Sequence, residues 1–119
     1  MNIHIRGGRL IDPASGTDKR TDLFIADGKI VGAGDTAPAG FKASTTLDAT
    51  GCIVCPGLID LSARLREPGF EYKATLESEM AAAAAGGVTR LACPPDTDPV
   101  LDEPGLVEML THRARLPEF

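Results

Sequence analysis

The sequence predicts an α/β protein whose second half opens a parallel barrel and whose first half is a small β layer. Three observations carry this. Strand signals separated by turn residues fill the first fifty or so residues, and a strand, helix, strand, helix order follows Pro56-Gly57. The chain's last residues, Leu116-Pro117-Glu118-Phe119, come directly after a helical pattern, where a third strand is expected. Parallel strands are normally covered on both faces, and two of them cannot shelter each other. The 119 residues are therefore expected to be truncated, the front portion of a larger α/β barrel protein, or to be completed by another chain.

In the β layer, assigned to residues 1–54, Ile3 and Ile5 alternate with polar neighbours. Arg9-Leu10-Ile11 forms a further strand after Gly7-Gly8 and before the turn Asp12 to Gly16. Asp22 to Ala26 meets Lys29 to Val31 across Asp27-Gly28, a dipeptide suited to the positive φ angles of a two-residue hairpin turn. The Gly-, Ala- and Pro-rich stretch Gly32 to Ser44 is a loop, and Thr45 to Ala49 and Cys52 to Val54 are two more short strands.

The barrel portion is assigned to residues 55–119. Leu58 to Leu65 is its first strand, and Thr75 to Ala85 its first helix, stopped by Gly86-Gly87. The five alanines Ala81 to Ala85 suit a helix lying close against a sheet. Val88 to Cys93 is the second strand, ended by Pro94-Pro95, and a last helix runs from a cap at Asp102, with Pro104 in its first turn, toward Arg115.

Composition bounds the partners. Twelve basic against seventeen acidic residues give a net charge of −5, and no Lys/Arg cluster provides a field for phosphate backbones or anionic lipid. Nucleic acid and membrane are excluded as expected partners. The N-terminus lacks a basic segment followed by an apolar run, and no stretch approaches the roughly 18 apolar residues of a bilayer span. A soluble, cytoplasmic protein is expected. Cys52, Cys55 and Cys93 are an odd count without an export signal, which argues against disulfides. Because Cys52 and Cys55 lie in an apolar stretch rather than at a helix start, this pair is expected to be buried structural thiols rather than a metal or redox pair. His4 and His112 have no second ligand at metal spacing and are expected at the surface or an interface.

The segment Cys55-Pro56-Gly57-Leu58-Ile59-Asp60-Leu61-Ser62-Ala63-Arg64-Leu65-Arg66-Glu67-Pro68-Gly69 resembles the first barrel strand of dihydroorotases, members of the amidohydrolase superfamily, whose pattern is P-G-L-I-D-x-H-x-H-L-R-E-P-G. Glu71-Tyr72-Lys73, the Ala-rich helix and Pro95-Asp96-Thr97-Asp98-Pro99, similar to the family's P-N-T-x-P loop, extend the likeness. Gly8 to Pro13 and Asp27 to Ile30 are similar to its N-terminal sandwich strands. The resemblance implies the first two βα units of a metal-dependent-hydrolase TIM barrel, preceded by strands of a small β-sandwich.

One departure governs the functional reading. In the family the two histidines of H-x-H share a strand face and grip zinc, but Ser62 and Arg64 stand in their places. Serine is a poor zinc ligand at neutral pH, and a guanidinium is a permanent cation without a lone pair. At about 4 Å and an effective dielectric near 20, two unit charges interact by roughly 4 kcal/mol, so a dication meets about twice that in repulsion. Loss of zinc is expected, with no catalytic residue and no other cofactor in its place. Without zinc the family's activation of water and of the ring amide fails. The family's bridging lysine, further histidines and catalytic aspartate belong to later strands.

On the substrate side, Arg66 matches the family arginine that grips the carboxylate of dihydroorotate, while Asp96 replaces an asparagine that also meets substrate. The negative Asp96 is expected to repel that carboxylate and to pair with Arg66 or Arg64, making Arg66, Glu67 and Asp96 a salt-bridged loop cluster with vestigial binding. The resemblance extends to non-catalytic dihydroorotase-like proteins that lack the zinc histidines and support assembly of aspartate carbamoyltransferase, which implies that enzyme as partner. Barrel packing and loop chemistry are separable, so such a scaffold persists without its metal. The alternatives are an active dihydroorotase or related cyclic-amide hydrolase with an altered metal site, and a filament or signalling scaffold like the metal-free relatives of dihydropyrimidinase. Exposed strand edges and helix faces predict self-association or dependence on a partner, so a homo-oligomer is also possible.

Overall fold

A computed structural model describes residues 1–115 of the chain. Strands β1 (Asn2–Asp12), β2 (Thr17–Ala26), β3 (Lys29–Ala33), β4 (Thr45–Asp48), β5 (Ile53–Val54) and β6 (Leu58–Asp60) precede helix α1 (Leu76–Ala85), strand β7 (Val88–Leu91) and helix α2 (Pro104–Arg113). The chain divides into two compact units, Met1–Pro56 and Gly57–Phe119. No helix among the described residues is long and apolar enough to cross a membrane.

The first unit is one five-stranded sheet in the order β3-β2-β1-β4, with β5 also on β1. β1 runs antiparallel to β2 and parallel to β4 and β5. The two short strands expected before Asp12 are one strand, because a register shift between Ile5 and Gly8 lets the chain bulge and continue. Gly7 turns there with φ of 72°, and its N–H donates to Asp22 Oδ1 at 2.9 Å, so the extra residue keeps a partner. The same bulge continues the pairing to Thr17, which lengthens β2 beyond the expected Asp22 start. The Asp27-Gly28 hairpin forms as expected, with φ of 50° and 73°.

Leu23 and Phe24 form the core of this sheet. Phe24 stacks on the His4 ring at 4.7 Å, and Phe41, from the Gly- and Pro-rich loop, meets it edge-on at 5.2 Å. His4 is thus half-buried rather than at the surface, with Nε2 2.7 Å from Asp22 Oδ2. His112 is exposed on α2, as expected. Cys52 and Cys55 are exposed instead of buried, because β5 has only two residues and they lie outside its ladder; Cys93, past the end of β7, is exposed as well.

In the second unit β6 and β7 pair in parallel around the α1 crossover, and α2 follows. Thr75 caps α1, accepting from Ser78 N while Ser78 Oγ accepts from Thr75 N, and Gly86 closes it. Of the five alanines only Ala83 is half-buried, since a two-stranded sheet offers too little surface to cover a ten-residue helix. Glu103, not Asp102, is the cap residue of α2, and no side chain caps it; Pro104 at its start, which has no N–H, reduces the need.

Candidate functional site

The first barrel strand ends at Asp60 rather than Leu65, and Asp60 itself supplies the reason. Its Oδ1 accepts the Ser62 N–H at 2.8 Å, a local turn that competes with the ladder. Two further bonds, Ala92 N to Asp60 O and Ala63 N to Ala92 O, hold the next residues to the second strand. The alternation survives past the ladder: Ala63, Leu65 and Glu67 are buried, whereas Ser62 and Arg64 are exposed and Arg66 is half-buried. Ser62, Arg64 and Arg66 therefore alternate with the buried side.

After β7 the chain brings in the facing wall. Gly69 packs so closely on it that a Cβ would lie 2.2 Å from the Asp98 carbonyl oxygen, and its φ is 97°, so only glycine fits. Asp98 N donates to Pro68 O at 3.1 Å across the same junction. Between the two loops lies a recess of about 170 Å³, its lining including Arg64, Arg66, Lys73, Cys93, Asp96 and Leu110.

Arg64 Nε donates to Asp96 Oδ2 at 2.6 Å, with both side chains about half exposed. Glu67 behaves differently. It is 4% exposed; its Oε1 accepts from Leu76 N at 3.0 Å, and its Oε2 faces the Arg113 guanidinium of α2 as an ion pair without a directed hydrogen bond. The expected cluster of Arg66, Glu67 and Asp96 is thus two separate pairs, and among the described residues Arg66 makes no ion pair. Asp96 sits opposite Arg64 and Glu67 reaches the helices, which leaves Arg66 with neither.

Two features escaped the sequence reading. Lys73 Nζ sits 5.2 Å from the Phe70 ring centroid and 5.5 Å from that of Tyr72, so its charge is held by ring faces. The Phe70-Glu71-Tyr72-Lys73 spacing was the available signal. Glu67 as a buried tie was signalled by its place two residues beyond Leu65 on the inward side.

The residues at this mouth do not suit a zinc ion. The Arg64 guanidinium offers no electron pair and carries a like charge, and Ser62 offers only a hydroxyl. No three His, Cys, Asp or Glu side chains among the described residues converge as a metal site. Partial burial, with Asp60 nearby, pushes the Cys93 thiol up, away from the thiolate that binds soft metals.

The fold matches that of L-hydantoinase from Arthrobacter aurescens with a TM-score of 0.80 at 24% identity, over 94% of this chain and 24% of that one. Strand, crossover helix and mouth together define the opening of an amidohydrolase-class TIM barrel. A family model described as Dihydro-orotase-like matches residues 51–118. The chain is 57% identical to a dihydroorotase-like protein of Pseudomonas aeruginosa and 47% identical to a dihydroorotase of Pelobacter propionicus, in each case over 97% of its own length and 27% of the relative's. It belongs to the dihydroorotase-like family. It spans about a quarter of the length of these relatives.

Proposed function

We propose that this chain is part of a non-catalytic dihydroorotase-like protein of pyrimidine biosynthesis, acting in the cytoplasm as a structural or assembly partner of aspartate carbamoyltransferase. The observation that carries the reading is the Arg64 side chain, in the place of a zinc-binding imidazole and bonded to Asp96 at 2.6 Å. A cation so anchored opposes a dication at the position where the family's chemistry begins. The name of the Pseudomonas aeruginosa relative, dihydroorotase-like protein, is consistent with it.

The test uses the full-length protein carrying this chain. Expected are less than a tenth of an equivalent of zinc after purification, no dihydroorotate hydrolysis above background, and co-purification with aspartate carbamoyltransferase whose activity falls when the protein is withheld. The second reading, an active dihydroorotase holding its metal through residues elsewhere, draws on the relative named dihydroorotase at 47% identity. Near-stoichiometric zinc with turnover would establish that reading instead.

A further inference from the structure

The carboxylates around the mouth of the first two barrel strands are not equivalent. Asp60 accepts from Ser62 N at 2.8 Å, Glu67 from Leu76 N at 3.0 Å and Glu71 from Gly69 N at 3.0 Å, so each is tied to backbone in its own stretch of chain. Asp96 is not. Among the described residues its hydrogen bond comes from Arg64 Nε, 2.6 Å away, across 32 positions of sequence. The two backbones are fixed independently of that bond. Arg64 stands between the buried Ala63 and Leu65, and Ala63 N donates to Ala92 O at 3.0 Å. On the other side Asp98 N donates to Pro68 O at 3.1 Å and Thr97 Oγ1 to Pro99 O at 2.8 Å. Both side chains are about half exposed, so enclosure does not force them together, and charge selects the pair. The bond uses Nε, which leaves both terminal guanidinium nitrogens without a protein hydrogen bond among the described residues.

We infer that Asp96 is a positioning residue for Arg64. Its carboxylate holds the guanidinium at the mouth, in the place the family pattern gives to a zinc ligand, and the held cation keeps a divalent ion away from the carboxylate in turn. The inference rests on the reading that the protein works without zinc. It joins two departures from the pattern, at positions 64 and 96, into one coupled change: the negative charge at Asp96 is the counter-charge of the positive one at Arg64. An asparagine would still accept a hydrogen bond there, but a bond between two ions is roughly twice as strong as a neutral one. The pair supplies position rather than stability, because exposed ion pairs stabilise a fold little.

Two measurements on the full-length protein test this. The first is the rate at which phenylglyoxal, an arginine-selective dicarbonyl, modifies Arg64, followed by peptide mass spectrometry. Asp96→Asn should raise that rate by about threefold or more, and Asp96→Glu, which keeps the charge, should stay closer to the parent. Arg113, which pairs with Glu67, should not respond in either variant. The second is titration with zinc chloride alone. Arg64→Met, which leaves the Asp96 carboxylate uncompensated, should bind zinc about tenfold or more tightly than the parent, and Asp96→Asn added to it should remove most of the gain. Circular dichroism and urea midpoints matching the parent would show that the variants fold. Equal Arg64 rates in the parent and Asp96→Asn, a parallel rise at Arg113, an Asp96→Glu protein as reactive as Asp96→Asn, or zinc affinity unchanged in Arg64→Met would overturn the proposal. Near-stoichiometric zinc with hydrolytic turnover in the parent would instead overturn the reading beneath it, so the two failures are distinguishable.

Discussion

Four carboxylates in this chain show how surroundings decide what a charged side chain contributes. Asp96 meets Arg64 in the open, where screening and side-chain entropy leave such a pair worth under about 1 kcal/mol. Glu67 is enclosed and serves as acceptor for the first turn of α1, so its loss strands a backbone donor and part of a cation. Glu67→Ala is therefore expected to cost about 2–3 kcal/mol, against under about 1 kcal/mol for Asp96→Ala, in urea denaturation of the full-length protein. Equal losses would refute the distinction. Asp22 gives a pH dependence: the Gly7 N–H, then His4, hold its carboxyl below the ordinary range. Asp48, bonded by Thr50 and Arg6, is lowered from 3.8 to about 2. A depressed carboxylate stabilises the fold above its unfolded value, and that contribution disappears as pH falls through the folded one. Thermal midpoints should therefore drop between about pH 4 and pH 2, and Asp22→Asn should flatten part of that slope. An unchanged slope in Asp22→Asn would exclude this origin.

At the level of elements, the loop that carries Arg66 is held by contact rather than by secondary structure. Gly69→Ala forces a methyl group against the Asp98 carbonyl in a backbone conformation that side chains disfavour, and should cost more than about 2 kcal/mol. A Gly69→Ala protein with the parental urea midpoint would show that this junction is dispensable. Local chemistry made much of the fold legible. Asp27-Gly28 announced its hairpin, Gly86-Gly87 the end of α1, and the alternation from Ser62 to Glu67 the two sides of the first barrel segment. What escaped depended on distant partners. The bulge that joins the two halves of β1 is completed by Asp22, fifteen residues from Gly7, and the Arg64–Asp96 and Glu67–Arg113 pairs become distinct only when loops from separate strands meet. The cysteines illustrate the opposite error, an average tendency toward burial applied to residues that fall outside short ladders.

At the scale of the molecule, the second unit presents an unusual surface for parallel strands. Leu58, Ile59 and Leu61 are 57%, 58% and 80% exposed, on and beside a strand whose only partner in the sheet is β7 among the described residues. Parallel sheets are stable when helices or further strands cover both faces, and each fully covered aliphatic side chain contributes about 1.5–3 kcal/mol. An uncovered cluster of this kind drives association through the same gain. The 119-residue chain produced alone is therefore expected to self-associate, with a mass by light scattering that rises with concentration and with strong binding of a dye for apolar surface. Replacing Leu58 and Leu61 together by Ser should return the mass toward the monomer without altering the first unit's hairpin signals in NMR spectra. A parent chain that stays monomeric at high concentration and binds no dye would show that the exposed leucines do not determine assembly, and the case for a covering partner at this face would fail with it.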